Sequence, residues 1–219
     1  MEQAMQELPL FPLNTVLFPK MMLPLRIFEE RYREMINACL DRDSHFGVVL
    51  ISEGQETGEP AIPHNVGTTA RIAQVTRHDD GRINLIAMGE QRFYLDEVTQ
   101  WRPYLKGRVR LVEQEEVGEP APSLESIETL HSMLQTYLRA LLGLRGGWVR
   151  EVNSPTDPVA LSFHIATVIR NDNELLQRVL EARTAVERLE LVTPLLAKAS
   201  QETRKRLEER LANREGRLN

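Results

Sequence analysis

The feature that most constrains this chain is a change of hydrophobic period near residue 115. Before it, apolar residues alternate with polar ones or form short runs bounded by turn residues; after it, they recur at intervals of three and four. The first pattern belongs to strands and the second to amphipathic helices, so a uniform all-β or all-α architecture is excluded. Between them lies Glu115-Glu116-Val117-Gly118-Glu119-Pro120-Ala121-Pro122, acidic, poor in apolar residues and interrupted by prolines that cannot donate a backbone hydrogen bond. The expectation is an α+β protein: a strand-rich domain over residues 1–114, a linker over 115–122 and a helical domain over 123–219. With 219 residues, 42% of them hydrophobic and 27% charged, each part is large enough to enclose a core.

Within the first part, Leu8–Leu25 carries Pro9, Pro12, Pro19 and Pro24 among Leu, Phe, Val and Met. That forbids a helix and predicts short extended pieces at a sheet edge without continuous pairing. Tyr32, Met35, Ile36, Cys39 and Leu40 then form one apolar stripe, predicting a helix over 29–41. Phe46–Ile51 is apolar on both faces, as in a central strand. Asp79-Asp80-Gly81 separates two runs rich in Val, Ile, Leu and Thr, which reads as a hairpin. After Pro103, Lys106, Arg108 and Arg110 alternate with Leu105, Val109 and Leu111 around Gly107, predicting a strand with one basic face in water. About six strands and one helix suit a small curled sheet or open barrel.

The second part opens at Ser123, a good N-cap, and Ile127, Leu130, Leu134, Tyr137, Leu138 and Leu141 share a face until Gly146-Gly147. Asp157-Pro158 places a capping oxygen before a proline at the first helical position, and the apolar Val159–Ala166 that follows predicts the buried centre of a bundle. Leu175, Leu176, Val179 and Leu180 predict a short third helix. Thr184 with Glu187 forms a capping box for a last helix through Leu189, Val192 and Leu196.

Taken together, Leu8-Pro9-Leu10-Phe11-Pro12-Leu13 with Val16-Leu17-Phe18-Pro19, Val66–Ile72, the Asp80-Gly81 turn, Gly89-Glu90-Gln91-Arg92-Phe93, and the helical blocks at Asp157-Pro158 and Val186–Glu190 resemble the N-terminal substrate-binding domain of Lon proteases. The blocks cover nearly the whole chain in the same order. The resemblance implies an N-terminal PUA-like pseudo-β-barrel with one helix, followed by a C-terminal α-helical bundle. It also implies a non-catalytic module whose partners are unfolded or partly folded polypeptides. The Gly-rich phosphate loop of the Lon ATPase is missing from these 219 residues, as is its peptidase portion. The chain in this respect resembles stand-alone Lon-domain proteins.

The residues themselves offer no catalytic constellation. His45, His64, His78, His131 and His164 include no pair at the i, i+4 spacing that sets two ligands on one helix face, so neither a metal nor another cofactor is expected. Ser44-His45 and Ser162 near His164 lack the glycine pattern of a nucleophile elbow. The single cysteine, Cys39, excludes an intramolecular disulfide and reads as a buried thiol in a reducing, cytoplasmic compartment. No Lys or Arg precedes Lys20, as a signal peptide would require, and no apolar run approaches the roughly 18 residues of a membrane helix.

Two surfaces are candidates for binding. Phe11, Phe18, Met21, Met22 and Leu23 form the densest apolar stretch, beside the charged start of the first helix at Glu30 and Arg31. Most of the five are expected in the core, and the remainder would make an exposed, methionine-bearing patch suited to varied polypeptide partners. The alternative is RNA: eight basic residues stand against five acidic ones between Arg71 and Arg110, in a chain of net charge −5, and Arg92, Lys106, Arg108 and Arg110 would supply the phosphate contacts.

Overall fold

A computed structural model describes residues 5–147, 154–169 and 172–215. Six strands and five helices follow in the order β1 (Met5–Leu13), β2 (Met22–Ile27), α1 (Glu30–Asp41), β3 (Phe46–Glu53), β4 (Ile62–Arg77), β5 (Ile83–Gln100), β6 (Leu105–Leu111), α2 (Leu124–Leu144), α3 (Pro158–Val168), α4 (Asn173–Glu181) and α5 (Ala185–Glu215). They divide into two compact units. The first comprises Met1–Gln114 with Asp172–Glu181, the second Glu115–Asn171 with Ala182–Asn219.

In the first unit the sheet order is β2-β5-β4-β3-β1-β6, and β5 also pairs with β6. That extra pairing links β5, β4, β3, β1 and β6 into a ring, which covers most of their edges, and leaves β2 as an appended edge strand. Two long strands serve two purposes. Irregularities between Thr68 and Ala70 and between Ile72 and Gln74 bend β4, so the barrel uses 62–70 and 89–100, while 71–77 and 83–88 project with β2 as a three-stranded leaf. Such register shifts re-aim a strand at the cost of one ladder position.

Helix α1 covers one face of the leaf. Its buried Tyr32, Met35, Ile36 and Cys39 share a core cluster with Leu23 and Ile27 of β2 and with Ile83, Leu85 and Ala87 of β5. Phe11 belongs to the same cluster and stacks on Tyr32 with 4.1 Å between ring centroids. A second cluster fills the barrel, built from Leu8, Leu10, Val49, Phe93, Leu95, Leu105 and Val109.

β1 differs from its expected place at an edge. It lies between β3 and β6, but only in part: Met5–Leu10 pairs antiparallel with β6 and Leu10–Leu13 parallel with β3. Each half therefore keeps one unpaired side. Successive strand residues turn their N–H and C=O toward opposite neighbours, so Pro9 and Pro12, of opposite parity, can each face the side with no ladder.

Helix α4 departs from the expected bundle. It packs with the barrel through polar bonds: Arg92 Nη1 donates to the Leu180 carbonyl near its C-terminus at 2.6 Å, Gln177 Nε2 to the Val66 carbonyl at 3.0 Å and Asn173 Nδ2 to the Asn14 carbonyl at 2.6 Å. An amphipathic helix of nine residues will cover any apolar surface, and these partners are far away in sequence.

The second unit holds α2, α3 and α5, capped as their sequences suggest. Ser123 Oγ accepts from Ser126 N–H, Asp157 Oδ2 from Ala160 N–H, and Thr184 Oγ1 from Glu187 N–H. The first part of the expected linker belongs here too. Ala185 and Val186 at the start of α5 donate their N–H groups to the carbonyls of Glu116 and Val117 at 2.8 and 2.9 Å. The carbonyl of Thr184 takes that of Arg188, so all four leading N–H groups of α5 find acceptors. Gly118, at φ +94°, lies so close to Thr184 that a β-carbon there would meet its side chain at 2.8 Å. Arg188, fully buried, ion-pairs with Glu115 at 3.1 Å.

Candidate functional site

Strand alternation sorts the candidate apolar stretch into buried and exposed residues. Phe11, Phe18 and Leu23 are core side chains, 6%, 1% and 8% exposed, so these three are corrected from surface candidates to structural residues. Met21 is half-buried against the α1 cluster. Met22 is 50% exposed. Its position is set by a turn in which Met21 N–H donates to the Phe18 carbonyl at 3.1 Å, with Pro19 and Lys20 at its centre and Lys20 at φ +66°. Gly89 clasps this turn, accepting from Lys20 and donating to Met21. A β-carbon on Gly89 would collide with the Phe18 carbonyl, so the close approach requires glycine.

On β2, Leu23, Leu25 and Ile27 turn toward α1, while Met22, Pro24 and Arg26 turn to the opposite face of the leaf. β5 follows suit: Met88, Ile86 and Asn84 stand across from Met22, Pro24 and Arg26. β4 continues all three rows with Arg71 beside Met88, Gln74 beside Ile86 and Thr76 beside Asn84. The outer face thus carries an apolar strip of methionine, proline and isoleucine, flanked by polar groups along β4 and at the Arg26–Asn84 end. It contains a shallow groove of about 420 Å³. The outer edge of β2 has no paired strand among the described residues. Met22 is legible in the sequence as a candidate; the alternation of Ile86 and Met88 with Ile83, Leu85 and Ala87 marks a strand with two apolar faces but not which of them is open.

The charged candidates at the start of α1 separate. Glu30 is exposed. Arg31 is half-buried, pairs with Glu29 at 2.9 Å, donates to the Glu56 carbonyl at 3.2 Å and lies 4.5 Å above the Tyr32 ring, which assigns it to holding the 54–58 loop.

The basic stripe is largely spoken for. Arg92 is 1% exposed and bound to α4, which removes it from any surface contact. Arg108 pairs with Glu97 at 2.6 Å, and Arg110 holds both oxygens of Asp96 in a fork. Those hydrogen bonds from Arg110, against a small opposing effect of burial, hold the Asp96 carboxyl below the usual range. Lys106 sits 5.9 Å from the Tyr104 ring.

A second, more enclosed cleft of about 510 Å³ opens between β1, the end of α1 and the loop before β3. At its wall His45 Nε2 meets Glu90 Oε2 at 2.7 Å, and Arg71 Nε donates to Glu90 Oε1 at 3.0 Å. Burial alone would raise the Glu90 carboxyl, but the hydrogen bonds from His45 and Arg71 outweigh it and leave the group below its ordinary range. Cys39 lies beneath; burial pushes its thiol up, beyond what Ser44 and Arg42 offset, so it is a poor nucleophile. Ser162 Oγ is occupied, donating to the Val159 carbonyl and accepting from Arg188 Nε. Among the described residues no three His, Cys, Asp or Glu side chains gather to hold a metal ion, and no helix is long and apolar enough to cross a membrane.

A five-stranded barrel with an appended leaf, followed by helices, defines an α+β fold. Comparison with known proteins agrees. The model of the ATP-dependent protease La (LON) substrate-binding domain matches residues 7–198, and the chain belongs to that family. It is 30% identical over 197 residues to Lon protease 2 of Myxococcus xanthus, covering 89% of this chain and 24% of that one. Over 193 residues it is 28% identical to the Lon protease of Xanthomonas oryzae pv. oryzae, covering 87% and 23%. The chain therefore spans about a quarter of the length of these curated relatives. The crystal structure of a Lon N-terminal domain protein from Xanthomonas campestris superposes with a TM-score of 0.64 at 26% identity, over 86% of this chain and 98% of that one. The N-terminal domain of a Mycobacterium avium complex Lon protease has the same fold, with a TM-score of 0.63 at 22% identity, over 88% and 98%.

Proposed function

We propose that this chain is a non-catalytic module that recognises unfolded or partly folded polypeptides, with the outer face of the β2-β5-β4 leaf as its contact surface. The observation that carries the reading is an apolar strip in which Met22 and Pro24 are exposed and Ile86 and Met88 half-buried, on strands whose other face is covered by α1. Methionine adapts its shape to varied apolar partners, and an uncovered apolar strip marks an interaction surface. Membership of a substrate-binding family supports the same reading. The lone buried thiol suits a reducing, cytoplasmic setting. The RNA alternative is disfavoured because Arg92 is enclosed and Arg108 and Arg110 are already paired, which leaves little uncompensated charge for phosphates.

The test is fluorescence anisotropy with labelled, reduced and carboxymethylated α-lactalbumin. Binding in the micromolar range or weaker is expected, since ordering costs offset most of a small apolar contact. Burial of a methionine or isoleucine side chain contributes about 1.5–3 kcal/mol, so Met22→Asp and Ile86→Asp should each weaken binding roughly tenfold or more. Changing salt from low to moderate should alter it little. Affinity indifferent to both substitutions, or steeply salt-dependent binding of single-stranded RNA at a log–log slope near −0.7 per phosphate, would reject the assignment.

A further inference from the structure

The wall of the barrel has a gap beside β1. β3 begins at Phe46, and its ladder with β1 starts at Leu10. The chain arrives at Phe46 from α1 through residues 42–45 rather than along β1. Residues 5–9 therefore pair with β6 on one side and, among the described residues, with no strand on the other. The open side borders the 510 Å³ cleft, whose walls include Glu7, Pro9, Arg42, His45, Gln91 and Lys106.

Pro9 reveals which backbone groups face that space. In an antiparallel pair, alternate residues bond to the partner strand and those between turn their N–H and C=O away from it. Pro9 stands opposite Lys106, and a residue without an N–H suits only the outward-turned set. Glu7 has the same parity. Its N–H and C=O, with the Pro9 carbonyl, therefore face away from β6 and toward the cleft.

We propose that this cleft binds an extended polypeptide segment by strand addition, the segment lying along residues 5–9 where an earlier start of β3 would have run and exchanging backbone hydrogen bonds with Glu7. The inference rests on the polypeptide-recognition reading and adds a second contact to it. Five strand residues span about 17 Å, and the cleft volume falls within the roughly 300–1,000 Å³ of ligand sites. Its charges nearly cancel. Arg42 and Lys106 have no carboxylate partner among the described residues, Glu7 and Asp43 stand against them, and Glu90 is neutralised by Arg71 beside His45. A cleft of balanced charge with an open strand edge selects for backbone rather than for side chains, the chemistry needed to hold segments of varied sequence.

The same labelled carboxymethylated α-lactalbumin tests it on the whole chain. At saturation, amide hydrogen exchange at Met5–Glu7 should slow about tenfold or more, as expected when open-edge N–H groups enter a ladder. Glu7→Pro removes the outward N–H and leaves the β6 ladder intact; it should weaken binding roughly fivefold or more while the far-UV spectrum and melting midpoint stay near wild type. Ser44→Trp fills the cleft from the opposite wall and leaves the sequence of β1 unchanged, should weaken binding similarly, and decides the matter if Glu7→Pro does not fold. Unprotected Met5–Glu7 amides with unchanged affinity in Ser44→Trp overturn strand addition, and if binding is still lost in Met22→Asp the recognition reading survives. A wild-type chain that fails to hold the probe overturns both.

Discussion

Replacement of Arg188 by alanine is expected to be among the most damaging single changes in the helical unit. Its guanidinium is fully buried and satisfies three groups: Glu115 at 3.1 Å, Ser162 Oγ at 3.0 Å and the Ala182 carbonyl at 3.2 Å. It also lies 4.2 Å above the Phe163 ring. Alanine takes this cation from the half-buried Glu115 carboxylate, removes a donor from a hydroxyl and a carbonyl, and opens a void over Phe163. Breaking a buried ion pair from one side costs about 3–5 kcal/mol, because the remaining charge keeps its desolvation penalty. At about 4–8 °C per kcal/mol for a unit of this size, the midpoint of the helical unit should fall by roughly 12–40 °C. Urea titration followed by far-UV circular dichroism reads the loss directly, with an unchanged slope showing that the unfolded state is the same. Glu115→Gln, which keeps a hydrogen-bond acceptor, should cost less. The double replacement Arg188→Met with Glu115→Leu should recover much of the stability, since an apolar pair of similar volume leaves no charge behind. A loss below about 1 kcal/mol on Arg188→Ala would refute the reasoning, because that is the size of an exposed pair.

Two further outcomes follow from the barrel unit. Burial, only partly offset by Arg31 and reinforced by Glu29 and Glu56, pushes the Tyr32 hydroxyl up to about 12; the folded value lies above the unfolded one near 10, so the associated stability is complete below about pH 10 and lost as pH rises through 12. Absorbance titration at 295 nm should show Tyr32 ionising late and Tyr32→Phe reducing the alkaline loss; ionisation of all four tyrosines near pH 10 in the folded protein would contradict it. A β-carbon on Gly67 would meet the Val48 carbonyl at 2.5 Å and the Phe93 ring at 2.6 Å, so Gly67→Ala should destabilise by about 1–3 kcal/mol in urea melts, and a variant as stable as wild type would show that the barrel wall yields.

The features legible in the sequence are local ones. The caps at Ser123, Asp157 and Thr184, the Asp79–Gly81 turn, the apolar stripe of α1 and the alternation along β6 depend on residues within a few positions of one another, and the fold realises each of them. Of the binding surface, Met22 was within reach of that logic. Tertiary structure alone decided that Phe11, Phe18 and Leu23 lie inside, that Arg92 is a buried staple, that α4 closes on the barrel and that Glu116 and Val117 cap α5. Each of these depends on a partner tens of residues distant, and an apolar side chain, an arginine or a carbonyl carries no local mark of what it will meet. The same holds for the two candidate surfaces. β2 and β5 are apolar on both faces, but only the placing of α1 decides which face is covered; only the late start of β3 decides that residues 5–9 keep an open edge.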